Sequence, residues 1–188
     1  MKTILVCNQK GGVGKTLCCD LICDFLIHDG IKHNVVDLDL QLGSLHEAQE
    51  MDDAAVTVVD TPGALQEDTK KWMESADLII IPTLMGTRDI PALERMLEIA
   101  ESLGKTKQLL VILNRWDHYN YTKDFMEWFE SDHADIKTAI LSNSIVFNQA
   151  SALGESIMDF APRSKAARQF AQIYGFIKTE LNLKEGWR

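Results

Sequence analysis

Three glycines set between an apolar run and an unbroken helical stretch constrain this chain more than any other feature. Gln9-Lys10-Gly11-Gly12-Val13-Gly14-Lys15-Thr16 follows Thr3-Ile4-Leu5-Val6-Cys7 and precedes Leu17 to Leu26, a segment without Pro or Gly. That order reads as strand, glycine loop, helix. Glycines carry no Cβ, so the backbone can close around a phosphate chain. The helix N-terminus adds unpaired N–H groups and the positive end of a dipole. Lys15 is placed to reach the β- and γ-phosphates, and the Thr16 hydroxyl to ligate Mg2+. Against the pattern G-x-x-x-x-G-K-[ST], Gln9 stands where the first glycine belongs, and a second lysine, Lys10, follows it. The bland alternative, a glycine-rich turn with chance lysines, leaves the flanking strand and helix unexplained.

Beyond the loop, apolar runs of strand length alternate with helical patterns, the mark of a doubly wound, mainly parallel sheet with helices on both faces. The expected strands are Thr3–Cys7, Asn34–Leu38, Ala55–Val59, Leu78–Ile81, Gln108–Leu113 and a short Thr138–Leu141, six to seven in an α/β sheet. Helices are expected from Lys15 to His28, from Asp89 to Leu103 with Pro91 in the first turn, from Thr122 to Ser131, and from Ser164 to Leu181. The 188 residues suit one domain with a full α/β core. Tyr121, Phe125, Trp128 and Phe129 share a helix face, read as core packing with a partner groove as the alternative.

Carboxylates close two of these strands. In an open α/β sheet, ligands sit at the carboxyl ends of strands. Asp37-Leu38-Asp39 could therefore orient a water toward a γ-phosphate or hold the hydration shell of Mg2+. Asp60, before Thr61-Pro62-Gly63, has the Walker B form, acting on Mg2+ through water. Asn114-Arg115-Trp116-Asp117 differs from the guanine-reading N-K-x-D only by Arg for Lys, so both guanine and adenine remain readable here. Trp116 is open to base stacking or to packing.

With Lys10, the loop resembles the deviant Walker A motif K-G-G-x-G-K-T of the ParA/MinD family of P-loop ATPases, and of its small plasmid-partition branch in particular. Asp37-Leu38-Asp39-Leu40-Gln41 and Asp60-Thr61-Pro62-Gly63 resemble that family's two switches. The resemblance implies ATP and Mg2+ as cofactors, held by Gly11, Gly12, Val13, Gly14, Lys15, Thr16 and Leu17, with adenine on Asn114 and Arg115. It gives the metal to Thr16, Asp37 and Asp60, and catalysis to Lys10, Lys15 and Asp39, with Asp39 orienting the water. It also implies an ATP-dependent homodimer in which Lys10 reaches the partner's nucleotide. Nonspecific DNA binding and a ParB-like or centromere-binding stimulating protein follow from the same resemblance. The chain departs from the pattern at Leu40 for a Pro, at Leu17 for a second Thr, and at Leu141-Ser142 for a Pro near the base. Only about twenty residues separate Asp39 from Asp60, so a strand–helix unit is expected to be lost or reduced there.

Net charge is −9, yet unevenly spread. Residues 1–136 hold 12 Lys/Arg against 24 Asp/Glu, whereas residues 137–188 hold 7 against 4. Arg163, Lys165 and Arg168, at the start of the last helix, are the candidate DNA contacts; a merely solvated face is the alternative. The four cysteines are Cys7, Cys18, Cys19 and Cys23, which allow no disulfide framework, two-part zinc site or cluster and read as reduced core residues. No apolar stretch reaches membrane-spanning length, so a cytoplasmic protein is expected; the resemblance implies association with the nucleoid when ATP is bound. Two further readings stay open: a metabolic ATP-dependent ligase of the dethiobiotin synthetase kind, and a MinD-like membrane cycler. The latter wants a cationic amphipathic tail, and Leu183-Lys184-Glu185-Gly186-Trp187-Arg188 is short and mixed.

Overall fold

The computed structural model describes residues 1–38, 46–63 and 67–184. Its centre is β1 (Lys2–Val6), whose Ile4, Leu5 and Val6 are wholly buried. Apolar residues on both sides of a strand need cover on both faces, which is the signature of a buried parallel sheet. Among the described residues six strands form it: β1, β2 (His33–Asp37), β3 (Val56–Asp60), β4 (Leu78–Thr83), β5 (Leu109–Trp116) and β6 (Lys137–Ser142). The spatial order is β2-β3-β1-β4-β5-β6, every neighbouring pair parallel. Strand order therefore reverses at β1, and a crevice opens at the carboxyl ends there.

Helices α1 (Lys15–His28) and α7 (Lys165–Leu181) cover one face, packing on Ile4, Val6, Val58, Ile80 and Ile112. Phe25 of α1 meets Phe170 and Tyr174 of α7 at ring distances of 5.7 and 5.1 Å. Helices α2 (Glu67–Ser75), α3 (Ile90–Ser102) and α4 (Asn120–Asp132) cover the other, on Leu5, Val59, Ile79, Ile81 and Val111. Short α5 (Ile145–Leu153) and α6 (Ile157–Phe160) follow β6. All four cysteines are buried, and burial pushes the Cys7 and Cys18 thiols up to about 12, so they pack as small protonated apolar groups.

Several expected boundaries move. β5 runs on through Asn114 and Arg115 to Trp116, because β6 keeps pairing with it across a bulge, Trp116 opposite Ser142. Arg115 takes φ 55° at that irregularity. β2 and β3 end on Asp37 and Asp60 themselves, register partners on adjacent strands. α2, flanked by polar sequence, is not among the helices expected from sequence. Between Asp37 and Val56 the described residues hold no helix and no strand beyond an isolated antiparallel bridge of Gln49 to Val35. Tyr121 is not core: it is half exposed in the first turn of α4, its hydroxyl donating to Asp117 at 2.6 Å. Phe125 and Phe129 are buried as expected, and Trp128 and Trp116 pack against the same core.

Candidate nucleotide site

The glycine loop leaves β1 and turns over the carboxyl ends of the sheet into α1. Asn8, 3 % exposed, shapes that turn: its Nδ2 donates to the Pro82 carbonyl at 2.9 Å, and its Oδ1 accepts from the Lys10 N–H at 3.0 Å. Asn8 is a residue that sequence reasoning misses; an Asn closing a strand before a glycine loop is the available signal. Two close approaches make the loop what it is. Gly14, at φ 99°, lies so near Asn114 that a Cβ would come within 2.3 Å of its Nδ2. Gly63 lies against the loop from the other side, where a Cβ would meet the Gly11 N and Cα at 3.3 and 3.4 Å.

The two lysines diverge. Lys15, 7 % exposed, curls back so that Nζ donates to the Lys10 carbonyl at 3.2 Å, across the concave side of the loop. Lys10 turns outward and pairs with the buried Asp89 before α3, Nζ to Oδ1 at 2.5 Å. Lys10 and Lys15 thus sit on one loop with their amines aimed at different targets.

Thr16, Asp37 and Asp60 do come together. The Thr16 hydroxyl donates to Asp60 Oδ2 at 2.7 Å, while the buried Asp60 Oδ1 has no hydrogen-bond partner among the described residues. Burial raises the Asp60 carboxyl to about 6, with Asp37 adding to the rise and Thr16 and Lys15 opposing it. A buried carboxylate with one orphaned oxygen, beside a hydroxyl and a second carboxylate, is a donor set for a hydrated hard cation such as Mg2+. Thr61 anchors the following segment by donating from its hydroxyl to the Val6 carbonyl at 3.0 Å. Asp39 lies outside the described residues.

Beside the loop opens a cleft of about 480 Å3, lined by Gly14, Thr16 and Leu17, by Asn114 and Arg115, and by Ser142 to Ser144 and the inner side of α5. This volume suits a nucleoside. Asn114 is buried and its amide is engaged, Nδ2 donating to the Val13 carbonyl at 2.8 Å and Oδ1 accepting from the Arg115 N–H at 2.8 Å. It therefore braces the phosphate loop from the cleft wall, and the exposed Arg115 stands beside the cleft with its long side chain unburied. Asp117 is turned away, accepting from Tyr121, the Tyr119 N–H and Thr122, and it does not line the cleft. Asp20 and Asp24 of α1 also line it, and Asp24 accepts from His46 at 3.0 Å; neither carboxylate stands out in the sequence, where both fall within an unbroken helical stretch. The hydrogen bond to Asp24 raises the His46 imidazole above its ordinary value and ties the chain at residue 46 to α1.

Arg163, Lys165 and Arg168 are all exposed at the start of α7, away from the cleft. Ser164 caps that helix by accepting from the Ala167 N–H at 3.1 Å, and Arg168 donates to the Arg163 carbonyl at 2.6 Å. Phe170, Tyr174, Ile177 and Leu181 are buried on the opposite side, as the helical spacing required.

The geometry has close parallels. The ATP complex of McdA from Cyanothece superposes with a TM-score of 0.78 at 16 % identity, covering 100 % of this chain and 99 % of that one. A ParA family ATPase from Chlorobium tepidum gives 0.75 at 14 %, covering 92 % and 98 %. MinD from Pyrococcus horikoshii complexed with Mg-ADP gives 0.71 at 18 %, covering 94 % and 95 %. These likenesses establish the fold. No curated protein sequence matches the chain. The profile of the CobQ/CobB/MinD/ParA nucleotide-binding domain matches residues 4–157, from β1 through the loop, both acidic strand ends and the cleft to the start of α6. The chain is a member of that family, ParA/MinD-type P-loop proteins with a nucleotide-binding domain.

Proposed function

We propose that the chain is an ATP-hydrolysing switch that closes into a homodimer over bound nucleotide and moves DNA or another cargo. The observation that carries this reading is the divergence of the two lysines. Lys15 alone crosses its own phosphate loop, so one subunit's cradle is already served. Lys10, one-third exposed and held among the described residues by its pair with Asp89, has its amine outside its own cradle and would exchange that pair for a second subunit's nucleotide. Bringing two Mg-nucleotides face to face concentrates negative charge, and a cation from each subunit offsets it.

Adenine is favoured over guanine because Asp117, the group that would read guanine, is tied to Tyr121 and Thr122. ATP in the McdA complex and Mg-ADP in the MinD complex are consistent with this choice. Asp39 is assigned the water-orienting role, with Mg2+ carried by Thr16, Asp60 and Asp37. A ParB-like or centromere-binding protein is the expected stimulator. Among the described residues no helix is long and apolar enough to cross a membrane.

Lys10→Ala is expected to bind ATP within about threefold of wild type, yet to stay monomeric and lose most turnover. Light scattering with ATP and with ADP checks this, and an affinity loss as large as that of Lys15→Ala would mean that Lys10 acts within its own subunit. The DNA reading rests on the exposure of Arg163, Lys165 and Arg168 in an otherwise acidic chain. Co-sedimentation with DNA in ATP, in ADP and without nucleotide tests it. The triple Ala variant should bind all sequences more weakly and flatten the salt dependence by about three, one for each phosphate that a subunit no longer neutralises. Equal binding at every salt concentration would exclude this surface.

A further inference from the structure

The two edges of the sheet are finished differently. The β2 edge is covered by Gln49, which exchanges backbone hydrogen bonds with Val35 at 3.0 and 3.1 Å. β6 ends the sheet on the other side with no strand beyond it among the described residues. The Asn143 N–H donates to the Trp116 carbonyl of β5, so by alternation Ser142, Ile140 and Thr138 present their N–H and C=O groups outward. The Ser142 N–H is met there by a side chain, Gln169 Oε1 at 3.2 Å, while Gln169 Nε2 donates to the Ser142 hydroxyl at 3.0 Å. An amide side chain is standing in for the backbone of a missing neighbour.

A groove of about 580 Å3 runs along this edge. Its walls are apolar on both sides of the sheet: Trp116 and Met126 on the α4 side, Ile173 and Phe176 on the α7 side. A strand laid along β6 would alternate its side chains between those two walls. Among the described residues no carboxylate lines the groove, in a chain of net charge −9, whereas Lys137 and Lys165 do. Lys165 makes no ion pair among the described residues, and the Lys137 pair with Glu180, at 2.7 Å, is half open to water and easily exchanged. A second copy would bring another Lys137 and Lys165 into the same groove, and edge lysines of this kind discourage self-pairing.

We propose that the β6 edge accepts an extended segment of a partner protein as a seventh strand, one with alternating apolar residues and acidic flanks. Backbone hydrogen bonds to Thr138 and Ile140 give affinity, the two apolar walls select alternate side chains, and Lys137 and Lys165 select the charge. This surface adjoins the nucleotide cleft at Ser142, which lines both, and Lys165 also belongs to the candidate DNA patch.

The probe is a fluorescein-labelled peptide of alternating valine and threonine with two aspartates at each end, titrated into the full chain and read by anisotropy. Lysine-flanked and alternately N-methylated versions should bind at least about tenfold more weakly, and Lys137→Glu should reverse the preference for charged flanks. Hydrogen exchange should show new protection at the Thr138 and Ile140 amides. Absence of binding, equal binding of acidic and lysine-flanked peptides, or protection elsewhere than β6 would overturn the proposal. Protection of β6 that grows with protein concentration alone would overturn it in favour of self-pairing. The peptide readouts are taken on the wild-type and Lys137→Glu chains, and a double Arg163→Ala, Arg168→Ala variant, which keeps Lys165 in the groove, should lose DNA binding while binding the peptide as wild type does.

Discussion

Lys15→Ala should lower ATP affinity by at least about 100-fold, which corresponds to about 3 kcal/mol. The side chain is buried and already curled over the loop, its amine on the Lys10 carbonyl at 3.2 Å. Little ordering is then left to do when phosphate oxygens arrive, so most of the interaction appears as affinity. A hydrogen bond to a charged group contributes roughly 1.5–3 kcal/mol, and an ammonium between two phosphate oxygens makes two. Backbone N–H groups of Gly11 to Thr16 remain and leave weak residual binding. Alanine keeps the first turn of α1 helical, so a melting curve close to wild type should accompany the loss. Unchanged affinity by calorimetry would remove the phosphate-loop assignment.

Asp60→Asn should separate stability from function in opposite directions. The Asp60 carboxyl is raised by burial to about 6 in the nucleotide-free fold, from an ordinary value of 3.8. A folded-state value above the unfolded one favours the fold while the group is protonated. That contribution is complete below about pH 4 and is lost as pH rises through about 6. At about 1.4 kcal/mol per pH unit between the two values, the ionised group costs the nucleotide-free fold at most about 3 kcal/mol above pH 6. The amide removes that cost, and its Oδ1 still accepts from Thr16. Melting without nucleotide at pH 7.5 should therefore rise by several degrees, roughly 2–4 °C per kcal/mol, and show no gain at pH 4. Turnover with Mg-ATP should fall by about 100-fold or more, because a neutral amide holds the hydrated cation poorly. A variant with lower melting temperature and intact Mg2+ dependence would refute both halves.

The contrast between these two residues shows what kind of information lay in the sequence. Lys15, Thr16 and the glycines were legible because their chemistry is local: a strand, a turn without Cβ atoms, and a helix N-terminus follow one another without interruption. The parallel sheet was legible for a related reason, since strands buried on both faces leave continuous apolar runs such as Val56–Val59 and Ile79–Ile81. Asp37 and Asp60 were readable as strand-ending acids, and their adjacency followed once β2 and β3 were neighbours. The nine-residue α2, with Trp72 and Met73 as its large apolar residues, was too short and too polar to be specified, and Tyr121 followed the helical period of Phe125 yet stays half exposed in the first turn of α4.

What tertiary structure decided was direction. Spacing gave Lys10 and Asn114 a place near phosphate and base; only the packing of α3 supplied Asp89 to hold Lys10 outward, and only the approach of β5 to Gly14 turned Asn114 into a brace for the loop. The β6 edge was likewise invisible in the residues Lys137–Ser142, because whether a strand is internal or terminal depends on what no part of its own sequence encodes: the presence of a neighbour. The sequence by itself determined which groups could touch phosphate and metal, since backbone freedom and side-chain chemistry are properties of residues. The directions in which those groups point, and the edge left open, are properties of contacts between segments distant along the chain.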